Sequence, residues 1–135
     1  MFLQPKKTKY KKLRKGKIPK FNHKNKKLVF GTVGLKLIES GVITSKQIES
    51  ARQAINRKLK RKGKIWIRIF TSVPATSKPN EVRMGKGKGN LSHWYSKVSS
   101  GTILFEICSK KISESIVSLN SGKPKLPLKT KIILN

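Results

Sequence analysis

Hydrophobic spacing divides the chain into short, differently patterned pieces. Ile48, Ala51, Ile55 and Leu59 recur at helical intervals. Thr44 and Gln47 ahead of them fit a Thr-x-x-Gln capping box, and Gly63 stands where a helix would close. Residues 64–70, KIWIRIF, switch to strict alternation, with Ile65, Ile67 and Ile69 opposed to Trp66, Arg68 and Phe70. This predicts a strand buried on at least one face. Upstream, KLVFGTVG predicts a short strand ending at glycines and GLKLIESG a turn of helix. TSVPATSKPNEV reads as loop from its Pro, Ser and Thr content. LSHWYSKV and GTILFEICS predict two strands joined at VSSG, residues 110–121 a Ser-rich helix stopped by Gly122 and Pro124, and KTKIIL a last strand. Irregular interleaving of this kind implies an α+β fold, a mixed or antiparallel sheet packed with two helices.

The first 27 residues break the pattern. They hold 12 basic residues, 11 Lys plus Arg14, and only Leu3, Tyr10, Leu13, Ile18 and Phe21 could pack. Such a segment cannot bury enough apolar surface to order itself and is expected to fold on a partner. The expected organisation is a basic arm over 1–27 and one globular domain over 28–135, with a loop at 71–90.

Charge identifies the class of partner. Across 135 residues, 33 Lys and Arg face 5 acids, all glutamates, for a formal net charge of +28 and a pI near 10.9. A polyanion that neutralises this excess is the economical explanation. The capped helix carries Arg52, Arg57, Lys58, Arg61 and Lys62 on its polar side and beyond, almost all of one sign, which favours phosphate over plain solvent. Lys outnumbers Arg by 27 to 6, a bias an AT-rich genome would give.

Enzymatic constellations are scarce. Acid–base catalysis needs two positioned titratable groups. Near the central loop only Glu81 and His93 qualify, and nothing in the sequence links them. His93, beside Trp94, suits packing or RNA stacking, and His23 is one more donor in the arm. The two histidines are seventy residues apart with no Cys or Asp cluster, so no catalytic residue, metal site or cofactor is expected. The single Cys108, inside ILFEIC, reads as a buried thiol. No apolar run approaches the roughly 18 residues of a membrane span, and no apolar stretch follows the basic N-terminus as a signal peptide would require.

RMGKGKGN, residues 83–90, raises three possibilities: a nucleotide-phosphate cradle, an idle turn, or a finger working against RNA. Neither Gly-x-x-x-x-Gly-Lys-Ser/Thr nor Gly-x-Gly-x-x-Gly is present, and a strand follows where a phosphate loop would open a helix. Glycines that let the backbone approach a crowded surface, with Arg83, Lys86 and Lys88 for phosphates, favour the finger. By composition and pattern alone, a ribosomal protein competes with a free nucleic-acid-binding module and an RNA-modifying enzyme.

QPKKTKYKK, KGKIWIRIF after the capped helix, VRMGKGKGN with Trp94 following, GTILFEI and the terminal KLPLKTKI occur in that order. Together they resemble the bacterial and organellar L-sixteen family of large-subunit ribosomal proteins over nearly the whole chain. Residues 16–27 (Lys- and Asn-rich) and 110–121 (Ser-rich) depart from that family's pattern. The resemblance implies a structural ribosomal protein, monomeric within the ribosome, with large-subunit rRNA, aminoacyl-site tRNA and neighbouring ribosomal proteins as partners, and no membrane. It implies that Lys6, Lys7, Lys9, Lys11, Lys12, Arg14 and Lys15 thread rRNA, with Arg52, Arg57, Arg61, Lys64 and Arg68 as further rRNA contacts. The loop Arg83, Met84, Gly85, Lys86, Gly87, Lys88, Gly89 and Asn90 would point toward the peptidyl transferase centre. The likeness starts at Gln4, so no transit peptide is expected. With the AT-type bias, the expectation is an organelle-encoded mitochondrial protein, with a plastid or bacterial cytoplasm as alternatives.

Overall fold

The computed structural model describes residues 3–18, 20, 21 and 27–135; His23 and the 22–26 part of the arm lie outside the described residues. Seven strands and two helices follow in the order β1 (Val33–Leu37), β2 (Gly41–Thr44), α1 (Ser45–Lys58), β3 (Gly63–Ile67), β4 (Val73–Ser77), β5 (Asn90–Val98), β6 (Ile103–Ser109), α2 (Ile112–Gly122) and β7 (Thr130–Leu134). A 3-10 turn, Lys123–Lys125, carries Pro124 and ends α2. One sheet has the order β3-β6-β1-β7 and the other β2-β5-β4. Every strand pair is antiparallel. The α+β expectation therefore holds, with its sheet resolved into two antiparallel ones.

α1 forms where the spacing predicts. Thr44 Oγ1 accepts from the Gln47 N–H and Gln47 Oε1 accepts from the Thr44 N–H at 2.9 Å, closing the capping box. Ile48, Ala51, Ile55 and Leu59 are buried, packed with Val33, Leu35, Leu37, Phe105, Ile107 and Leu119 in one core. α2 lies against α1 and against β1 and β6. Burial of these aliphatic side chains, roughly 1.5–3 kcal/mol each, is the main stabilising term.

Five details depart from the sequence reading. KLVFGTVG, expected as a strand ending at glycines, is irregular through Thr32 because the Val29, Phe30 and Gly31 N–H groups turn to Glu106 instead of a neighbouring strand. GLKLIESG is no helical turn: its first half belongs to β1, where Val33, Leu35 and Leu37 face the core between β6 and β7. Period-two burial and two flanking strands outweigh the glycines. The helix does not close at Gly63, which begins β3. It ends at Leu59, followed by Lys60 and Arg61 at φ 49° and 63°. Residues 73–77, expected as loop, form β4, an outer strand where Pro74 is tolerated. Cys108 is exposed, because it lies opposite Lys64 near the end of β6 and faces away from the core.

Candidate RNA interface

β4 and β5 build a hairpin whose connecting loop, 78–89, contains the glycine–lysine stretch. The inner half of β5 is buried through Trp94, Tyr95 and Ser96, whereas Asn90–His93 stand exposed and carry the loop away from the core. Gly89 sits so close to the Ser77 carbonyl that a Cβ there would lie 2.4 Å from it, which closes the hairpin's base. Further out, Gly85 and Gly87 adopt φ of +99° and +85°, and a Cβ built on either would meet nothing within 4 Å. Their requirement is for left-handed backbone, not for space. Lys86 between them shares the left-handed conformation at φ 53°. The Lys78 ammonium donates to the Gly85 carbonyl across the loop. Arg83 and Lys86 are exposed, and Met84 is fully so.

The arm meets this hairpin. Lys12 Nζ donates to the Lys88 carbonyl at 2.8 Å, and Lys88 Nζ donates back to the Leu13 carbonyl. Lys97 of β5 donates to the Lys15 carbonyl, and Phe21 bridges to Ser100. Leu3 is buried in the core. Between these anchors Lys6, Lys7, Lys9, Lys11, Lys12, Arg14 and Lys15 are exposed, without helix or strand. Arm and finger, 75 residues apart at the Lys88–Leu13 contact, thus meet, and both carry exposed cations.

The helix side is less uniform than its composition implies. Arg52 is bound to Glu49 through Nε at 2.9 Å and Nη2 at 2.7 Å, and the Arg52 hydrogen bond holds the Glu49 carboxyl below its ordinary range. Arg57 and Arg61 remain exposed and, with Gln53, Asn56 and Lys60, line a shallow concavity at the helix end.

Arg68 is also engaged within the fold. Its guanidinium pairs with Glu106, whose side chain is 0% exposed against 19% for Arg68. Glu106 Oε2 additionally accepts from three consecutive backbone N–H groups, Val29 at 3.1 Å, Phe30 at 2.6 Å and Gly31 at 3.0 Å. Burial pushes this carboxyl up, but those three donors and the Arg68 charge outweigh it and hold the pKa below the ordinary value. The sequence reading missed this hub. The signal available to it was an acid inside ILFEIC and an arginine inside KIWIRIF, two charges in apolar strands that need each other.

Among the described residues no group of three or more His, Cys, Asp or Glu is placed to hold a metal, and no helix is long and apolar enough to cross a membrane. Fold and surface define a compact α+β protein displaying an interlocked basic arm and finger. A family model described as "Ribosomal protein L16p/L10e" matches residues 5–133. The chain is 47% identical over 131 residues to "Large ribosomal subunit protein uL16" of Bartonella bacilliformis, covering 97% of this chain and 96% of that one. It is 48% identical over 131 residues to the protein of the same name from Hyphomonas neptunium (97% and 95% covered), and 49% over 134 residues to that from Cereibacter sphaeroides (98% and 96% covered). The chain belongs to the ribosomal protein L16p/L10e family.

Proposed function

We propose that the protein is a structural constituent of the large ribosomal subunit, acting as a scaffold and not as an enzyme. In this reading residues 1–27 thread rRNA, Arg57 and Arg61 add phosphate contacts at the end of α1, and the finger faces the aminoacyl-tRNA side of the peptidyl transferase centre. One observation carries it: Lys12 and Lys88 each donate to a backbone carbonyl of the other's segment, holding arm and finger together as one polycation. Such a surface binds phosphates through charge and positions itself through backbone geometry. The relatives named above are bacterial, which supports a bacterial-type ribosome. The lysine-rich, AT-type bias supports an organellar, mitochondrial setting for it.

Co-sedimentation tests the assignment. The protein should remain on large subunits through a salt wash that strips loosely bound basic proteins, as a monomer beside other ribosomal proteins. Release by that wash, with comparable affinity for arbitrary DNA, would instead make it a free nucleic-acid-binding module.

A further inference from the structure

On the four-stranded sheet, the side of β3 opposite Ile65 and Ile67 carries an aromatic pair. Alternation along β3 sends Ile65 and Ile67 to the core and leaves Lys64 and Trp66 on the opposite side, with Arg68 just beyond. Phe30, from the segment ahead of β1, lays its ring along Trp66 with centroids 6.0 Å apart and planes at 19°. Lys64 Nζ lies 5.2 Å from the centre of the Trp66 ring, and Arg68 Cζ 5.0 Å from that of Phe30. Phe30 is 54% exposed and its neighbour Val29 66%. β3 is the outer strand of its sheet, so the pair borders open surface.

Glu106 fixes this arrangement from below. It is the cross-strand partner of Trp66, holds the backbone of Val29, Phe30 and Gly31, and pairs with Arg68. The rings are therefore set before any ligand arrives, which lowers the entropy cost of binding. An exposed Phe30 and a half-buried Trp66, held between cations, suit a ligand offering flat π-faces and negative charge together. Unpaired nucleotides offer both, and the excess of 33 basic over 5 acidic residues selects for them over a protein surface of ordinary charge.

We propose that Phe30 and Trp66 form a stacking platform for unpaired bases of an RNA strand. Lys64, exposed and resting on the Trp66 ring, yields that face to a base and turns to the adjoining phosphate. Arg68, neutralised in part by Glu106, stays as the wall beside Phe30. The proposal rests on the RNA-binding reading above and adds the kind of RNA: single-stranded, held by its bases as well as its phosphates.

The full chain with Trp94→Phe leaves Trp66 as the one tryptophan, since the sequence has two. An oligoadenylate should quench its fluorescence. Trp66→Ala should weaken oligoadenylate binding about 5- to 100-fold while binding of an RNA duplex of equal length changes less than about twofold. Trp66→Phe should restore most of the loss. Phe30→Ala, in an exposed segment outside the strands, gives the same comparison where Trp66→Ala fails to fold. Equal weakening for oligoadenylate and duplex, or no quenching despite binding, overturns the platform and leaves RNA binding intact. Failure to bind either RNA overturns the RNA reading itself. In assembled subunits, a photo-crosslinking phenylalanine analogue at Phe30 should capture rRNA; capture of a ribosomal protein instead assigns the face to a protein neighbour and overturns the proposal.

Discussion

Glu106 shows how much one residue can organise. Its carboxylate is out of solvent, yet four donors surround it, three of them consecutive backbone N–H groups. Removing the charge leaves those donors and Arg68 poorly matched, at a cost of about 3 kcal/mol for a broken buried pair. Glu106→Gln should therefore lower the denaturant midpoint clearly at neutral pH. The folded pKa lies below the ordinary value of 4.5, so this contribution is complete above that value and fades as pH falls through the folded pKa. The gap between wild type and Glu106→Gln should then narrow in acid; denaturation curves at neutral pH and below pH ~4 check it, and a constant gap would assign the loss to packing. Both partners were visible in the sequence as charges in apolar strands. Their pairing was not, because residues 38 positions apart share no periodicity, and the three N–H donors belong to a segment whose side chains give no hint of them.

Elements that bury one continuous stripe were legible, and those decided by their neighbours were not. α1 and β6 follow from spacing alone, as does the inner half of β5. β1 carries the right alternation, but Gly34 lies within it and Gly31 just ahead of it, and only its place between β6 and β7 settles the matter. β4 is Pro- and Ser-containing and becomes a strand because β5 offers it an edge. The exit of α1 was hidden for another reason. Lys60 and Arg61 adopt left-handed backbone, which side-chain-bearing residues occupy at a cost of roughly 1–2 kcal/mol. Glycine removes that cost and loses a little in unfolded-state entropy. Arg61→Gly should thus stabilise the isolated protein by up to about 1 kcal/mol. It should also lessen the salt dependence of RNA binding by about 0.7 to 0.9 in log–log slope, the loss of one phosphate contact. Thermal unfolding and salt titration separate the two effects, and an unchanged slope would mean that Arg61 faces only solvent.

At the scale of the whole molecule, charge and shape divide the work between arm and finger. The arm carries 12 of the 33 basic residues, far more than the finger, and its anchoring in the fold comes from Leu3 at one end and the contacts to Lys88, Lys97 and Ser100 along the way. None of those contacts was legible, since no pattern in either segment encodes the meeting of Lys12 with Lys88. The finger itself was legible as glycines among cations, and its geometry now says why they are glycines. Gly85 and Gly87 have positive φ and open space where a Cβ would stand, so what valine meets there is a backbone conformation it resists. Arg83, Lys86 and Lys88 supply only three of the 33 basic charges, so retention on the subunit should depend little on the finger. Gly85→Val combined with Gly87→Val should consequently leave the protein on salt-washed large subunits at near wild-type occupancy. The same subunits should accommodate aminoacyl-tRNA slowly or stall late in assembly, because the tip no longer holds its course from the exposed end of β5. Occupancy by quantitative mass spectrometry and single-turnover peptide-bond formation read the two properties separately. Normal rates at full occupancy would make the finger an idle turn, whereas loss of occupancy would move it from function to anchoring.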